Sequence, residues 1–165
     1  MARTESAATG FLAGVLRGGD TGLNARIGQL RAENIELPAI EGVEILEQHV
    51  SAEIAERAGH IRYPVVHVYC DRVSNQLREK FRTFSGTAQL NVDLRVSHDH
   101  VGELQKQLQT CVEAVTDVLD GRRGEWATGM FYAGGYEITF SPVKKGGKNF
   151  IQSAVVRLEV HISVN

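Results

Sequence analysis

Between Ala88 and Ser97 apolar and polar side chains alternate without a break, with Ala88, Leu90, Val92, Leu94 and Val96 set against Gln89, Asn91, Asp93, Arg95 and Ser97. A period of two predicts a strand with one face toward a core and the other toward water. The pattern recurs at the end of the chain, where Ala154, Val156, Leu158, Val160, Ile162 and Val164 alternate with Val155, Arg157, Glu159, His161 and Ser163. Two shorter strands are expected at Pro64 to Cys70 and Tyr136 to Phe140, rich in β-branched and aromatic residues, with Pro64 where a missing N–H is tolerated. Val43 to Glu47 reads as a strand start, and Trp126 to Tyr132 is ambiguous. Between the last two strands, Pro142-Val143-Lys144-Lys145-Gly146-Gly147-Lys148-Asn149 reads as the tip of a long hairpin whose glycines supply positive φ. These two strands are expected to be antiparallel neighbours.

Helical spacing appears in two places. From His100 to Leu119, Val101, Leu104, Leu108, Cys111, Val112, Val115, Val118 and Leu119 form one stripe, which predicts a long amphipathic helix lying on the sheet. Asp99 is placed to cap its first turn and Gly121 to end it in a left-handed conformation. Near the N-terminus, Phe11, Leu12, Val15 and Leu16, then Leu23, Ile27 and Leu30, predict two short helices separated by Gly18-Gly19-Asp20, with helical character ending by Pro38 and Gly42. Because strict strand–helix alternation is absent, the class is α+β: a largely antiparallel or mixed sheet with a long helix packed on one face and a helical N-terminal segment. Residues 1–60 are read as that segment or arm, and residues 61–165 as the core domain. Leu94, Val96, Leu104, Leu108, Val115, Leu158 and Val160 are the expected core.

Composition excludes several classes. With 165 residues there is room for one ordinary domain, and 42% hydrophobic with 23% charged residues is an ordinary globular balance. Eighteen Lys and Arg against 20 Asp and Glu give a net charge of −2, so no global positive field holds a polyanion, and sequence-specific nucleic-acid binding is not expected. No apolar run approaches the ~18 residues that cross a bilayer, and no signal-peptide core follows Met1, so the expected compartment is the cytoplasm, with no membrane partner. Cys70 and Cys111 form no Cys-x-x-Cys pair and are expected as small core residues in a reducing compartment.

Chemistry-bearing groups are sparse. His98-Asp99-His100 offers two imidazoles and a carboxylate, but no third and fourth metal ligand is in view, and Asp99 is accounted for by the cap. His49, His60, His67 and His161 are scattered without ligand spacing. Gly134-Gly135 and Gly146-Gly147-Lys148-Asn149 match no phosphate-loop or dinucleotide fingerprint and read as turns. No Gly-x-Ser-x-Gly elbow is present. Catalytic, cofactor-binding and metal residues are therefore set at none, and no cofactor is expected. Arg72, Arg78, Lys80 and Arg82 form one basic cluster; Lys144, Lys145 and Lys148 form another at the hairpin tip. Either could meet an acidic neighbour.

The order of elements is more telling than any motif. A helical N-terminal segment is followed by a strand opening Pro64-Val65-Val66-His67-Val68 and the alternating Leu90-Asn91-Val92-Asp93-Leu94-Arg95-Val96. A single long helix and a closing Ile151-Gln152-Ser153-Ala154-Val155-Val156-Arg157-Leu158 strand complete it. Over residues 60–165 this order resembles the tail terminator, or tail completion, proteins of tailed bacteriophages. The resemblance implies a structural virion protein without enzymatic activity, assembled in the host cytoplasm. Such proteins form a ring, commonly of six copies, that caps the tail tube, ends its polymerisation and joins it to the head connector. The implied partners are other copies of the chain, the tail tube protein and the head–tail connector protein, and Lys144, Lys145 and Lys148 become candidate contacts. The alternatives are another neck or connector protein, a small metal-dependent enzyme built around His98 and His100, and an adaptor domain.

Overall fold

The structure, a computed structural model, describes residues 2–40, 42–51 and 62–165. Two N-terminal helices, α1 (Ala2–Arg17) and α2 (Leu23–Glu33), precede β1 (Glu44–Leu46), β2 (Val65–Asn75) and β3 (Phe84–His98). The long helix α3 (Val101–Asp120) follows, then β4 (Gly124–Ala127), β5 (Met130–Tyr132), β6 (Tyr136–Phe140), β7 (Lys144–Gly146) and β8 (Asn149–Val164). All eight strands join one mixed sheet, in which β1 runs parallel to β2 and every other pairing is antiparallel. The α+β class, the helical N-terminus and the helix on the sheet are as the sequence implies.

The two alternating segments pair with each other. β3 and β8 run antiparallel from Phe84 opposite Val164 to His98 opposite Phe150. Directly opposed residues share a face, so Ala88, Leu90, Val92, Leu94 and Val96 lie on the same side as Ala154, Val156, Leu158, Val160 and Ile162. All ten are buried, and they form one cluster with Leu104, Leu108, Cys111, Val115 and Leu119 of α3. Every residue of the expected core is buried.

The N-terminal helices feed the same cluster through Leu12, Leu16, Leu23, Ile27 and Leu30. Polar bonds fix their position. Asn24 Nδ2 donates to Val43 O at 3.1 Å while its Oδ1 accepts from Val43 N–H at 2.7 Å, and Arg17 Nη2 donates to Ile45 O at 2.8 Å. Arg26 Nε meets Asp117 Oδ2 at 2.8 Å across α2 and α3, and this bond raises the Arg26 pKa above its ordinary value. Phe11 stacks on Trp126 at 4.9 Å, which ties α1 to β4.

Several local expectations are corrected. The face of β3 opposite the helices is not wet, because Thr87, Asn91, Asp93 and Arg95 are buried as well. Asp99 does not cap α3: the capping position is His100, in extended backbone with no side-chain cap bond. Gly121 ends the helix at φ −79° and ψ −4°, a right-handed conformation, with its N–H bonded to Asp117 O and Leu119 O. Of the hairpin glycines only Gly147, φ +64°, takes the left-handed backbone that favours glycine. It opens a two-residue turn between Gly146 and its partner Asn149. The ambiguous stretch resolves into the short strands β4 and β5, β7 adds a third short strand, and α2 ends at Glu33, before Pro38.

Leu108 is 1% exposed at the centre of the α3–sheet contact. Its truncation to Ala is expected to destabilise the protein by about 2 to 5 kcal/mol. Urea unfolding measures this, and a loss well below 1 kcal/mol would contradict the packing described.

Candidate functional site

Lys144, Lys145 and Lys148 occupy the tip of the hairpin formed by β6, β7 and β8, and all three are exposed. Register places Tyr136, Ile138 and Phe140 opposite Leu158, Val156 and Ala154, on the helix-bearing face. Because α3 packs over β3 and β8, this outer strip is left open: Tyr136, Phe140 and Phe150 are exposed large side chains. The hairpin is thus a wing with an uncovered apolar face and a tip bearing three ammonium groups.

His98 and His100 stand near the same end of the sheet, where His98 pairs with Phe150. His100 N–H donates to His98 Nδ1 at 2.9 Å, and Asp99 Oδ1 lies 3.0 Å from the same nitrogen. An imidazole nitrogen cannot accept from one group and donate to the other at once. Nδ1 therefore serves either the backbone N–H, as an acceptor, or Asp99, as a donor, and not both. The two rings are 5.8 Å apart, and among the described residues no group of three metal-binding side chains converges. His60 lies outside the described residues. Cys111 is buried on the helix stripe, which pushes its thiol up to about 12. Cys70 is half-buried against the core, its thiol is raised by burial, and Sγ donates to Arg72 O at 3.5 Å. Neither thiol is activated as a nucleophile. Gly134 has φ +107°, consistent with its reading as a turn residue. In the basic cluster, among the described residues, only Arg82 has a carboxylate within reach, Glu79 at 3.3 Å.

The sheet face away from the helices holds a polar group that alternation alone does not disclose. His67 and Asp93 are directly opposed, as are Tyr69 and Asn91. Arg95 Nη2 binds Asp93 Oδ2 at 2.8 Å and Val50 O at 2.7 Å, Arg157 Nε donates to Asn91 Oδ1 at 3.2 Å, and His49 stacks on Tyr69 at 3.9 Å. Both ring nitrogens of His67, Asn91 Nδ2, Asp93 Oδ1 and Arg95 Nη1 find no partner among the described residues. Burial, reinforced by the Arg95 charge, lowers the His67 pKa, and burial with the Asp93 charge raises that of Tyr69. The sequence signal for this group was an acid and a base two apart on one strand. Arg95 and Tyr69 thereby hold Val50 and His49 against the sheet, and among the described residues no nucleophile stands beside His67.

No family model matches the chain, and no curated protein matches it. Among the described residues no helix is long and apolar enough to cross a membrane.

Two outcomes follow from this geometry. With its folded pKa below the ordinary 6.5, His67 stays neutral in the native state while the unfolded chain takes up a proton. Stability is then lost as pH falls below about 6.5. His67→Gln should flatten the loss of stability that sets in as pH falls below about 6.5. Denaturant titrations at several pH values measure it, and an unchanged slope would contradict a neutral buried His67. Replacing His98 and His100 together should leave folding nearly unchanged. Stoichiometric zinc or iron lost in that double variant would establish a metal site instead.

Proposed function

We propose that this chain is a structural virion protein of the tail terminator kind, forming a ring that caps a phage tail tube, stops its growth and presents a surface to the head connector. The observation that carries the reading is the wing. Exposed apolar surface rimmed by polar groups marks interaction sites, and Tyr136, Phe140 and Phe150 are exposed on the hairpin that carries the basic tip, while Ile138 packs partly against the core. A cyclic interface is heterologous, requiring two different matched patches on each copy. An apolar strip ending in three lysines supplies one of them. The order of strands and the single long helix on the sheet agree with the resemblance. In this reading the partners are copies of the chain, the tube protein and the connector, and no catalytic step is assigned. A related neck or connector protein would use the same wing.

Exposed ion pairs contribute about 0 to 1 kcal/mol each, but a ring repeats the contact at every interface. Changing Lys144, Lys145 and Lys148 to Glu should therefore shift the multimer toward monomer and leave the monomer's melting temperature almost unchanged. Light scattering at low and high salt, with negative-stain images of the wild type, reads the result. A wild type that stays monomeric at every concentration would overturn the ring. An intact multimer in the triple variant would place the interface elsewhere.

A further inference from the structure

The connection from β2 to β3 has an unusual conformation. Leu77 and Phe81 both lie in the left-handed region, at φ 47° and 65°, although neither is glycine. Such conformations persist only where the surroundings over-determine them. Here they do. Asn75 Oδ1 accepts from the N–H groups of Leu77 and Ser85, and its Nδ2 donates to Thr83 O at 3.1 Å. Ser85 Oγ accepts from Glu79 N–H at 3.0 Å, and Glu79 Oε2 accepts from Ser163 Oγ at 2.8 Å. The shape so fixed turns Leu77 and Phe81 outward, 61% and 99% exposed. Neither side chain contributes to the core, so the strained backbone serves the loop's outer surface. Arg78 and Lys80 flank that surface with no carboxylate partner among the described residues.

Beside this knob lies a hollow of about 440 Å³. Arg78 and Glu79 line one side, Glu125, Met130, Phe131 and Ile162 line another, and His161 with the polar residues Ser85 and Ser163 contributes to the remainder. Phe131 is half exposed, and Glu125 has no cationic partner among the described residues. Knob and hollow share Arg78 and Glu79 and are therefore adjacent. The geometry points to a two-fold contact between two copies of this chain, in which Phe81 of each copy enters the hollow of the other and Lys80 meets the other copy's Glu125. Adjacency favours a second copy over a foreign partner, because a two-fold interface needs one self-complementary patch in which a projection and its receptor lie on either side of the axis. The exposed aromatic side chain supplies the anchor, and the opposite charges at the rim fix the register.

This contact does not depend on the ring, whose interface is heterologous. Sedimentation velocity on the purified full chain tests it. The wild type should be a dimer or an even multiple, and Phe81→Asp should halve its mass without changing the melting temperature. Phe81→Gly should halve the mass as well and raise the melting temperature, since glycine adopts the left-handed backbone freely. That combination separates a role in association from one in folding. Lys80→Glu and Glu125→Lys should each weaken pairing roughly tenfold, and the double exchange should restore it. Where a ring also forms, Phe81→Asp leaves single rings whereas the triple lysine variant leaves pairs, so the two interfaces fail separately. A monomeric wild type, an unchanged mass in Phe81→Asp, or no restoration in the double exchange would each overturn the two-fold contact.

Discussion

The pairing of β3 with β8, unbroken from Phe84 opposite Val164 to His98 opposite Phe150, is the constraint from which the rest of the structure follows. A period of two makes register and face one decision, since a slip by a single residue would turn every buried valine and leucine toward the other side. With the register set, the apolar rows of both strands form one continuous floor, and α3 covers it with the stripe from Leu104 to Leu119. The N-terminal helices complete the same layer. β8 gives its other edge in sequence to β5, β6 and β7, each of five residues or fewer. That edge is therefore built from short pieces, and the pieces that extend past α3 remain uncovered.

The second face of the sheet works by different physics. Asn91, Asp93 and Arg95 occupy positions that alternation marks as polar, and they are buried nonetheless. A buried Asp–Arg pair is weak evidence for stability, because its Coulomb attraction is offset by the desolvation of both ions. Removing one partner would be costly all the same, leaving the other charge buried and alone. Opposite them His67 is held neutral by burial and the neighbouring guanidinium. This face specifies where the chain after β1 can sit, since Arg95 holds Val50 O and Tyr69 holds the ring of His49.

How much of this was legible in the sequence follows from how local each signal is. The long strands and α3 were readable because their periods repeat over ten or more residues, and so were the core positions Leu94, Leu108 and Leu158. Alternation reports polarity but not solvent, so it could not tell that Asn91, Asp93 and Arg95 are covered. β4, β5 and β7, at three or four residues, are too short for a period of two to repeat enough to be recognised. Asp99 had the right chemistry for a cap, but the chain enters α3 one residue later, with His100 in extended backbone. The wing was half readable: its lysines and turn were evident, whereas the exposure of Phe140 and Phe150 depends on how far α3 reaches. The left-handed Leu77 and Phe81 carry no residue-type signal, because that conformation is normally a place for glycine or asparagine. The hydrogen bonds of Asn75 and Ser85 that hold the loop around Leu77 exist only once β2 and β3 are paired.

The same pairing decides how charge is distributed. Because β3 and β8 are antiparallel, the loop after β2 and the hairpin before β8 must lie at opposite ends of the sheet, separated by 14 residue steps of ~3.3 Å, or roughly 46 Å. Both ends are basic, with Arg78, Lys80 and Arg82 at one and Lys144, Lys145 and Lys148 at the other, in a chain whose net charge is −2. Carboxylates lie on the helical layer, as Asp117 and Glu33 do around Arg26, and within the ends themselves, as Glu79 does beside Arg82. At physiological ionic strength the Debye length is about 8 Å, so each end acts as a local cationic patch and neither feels the other or the overall negative charge. Each patch also sits beside exposed aromatic groups, Phe81 and Phe131 at one end, Phe140 and Phe150 at the other. Each end thus joins positive charge to exposed aromatic surface, and the β3–β8 pairing holds the two apart.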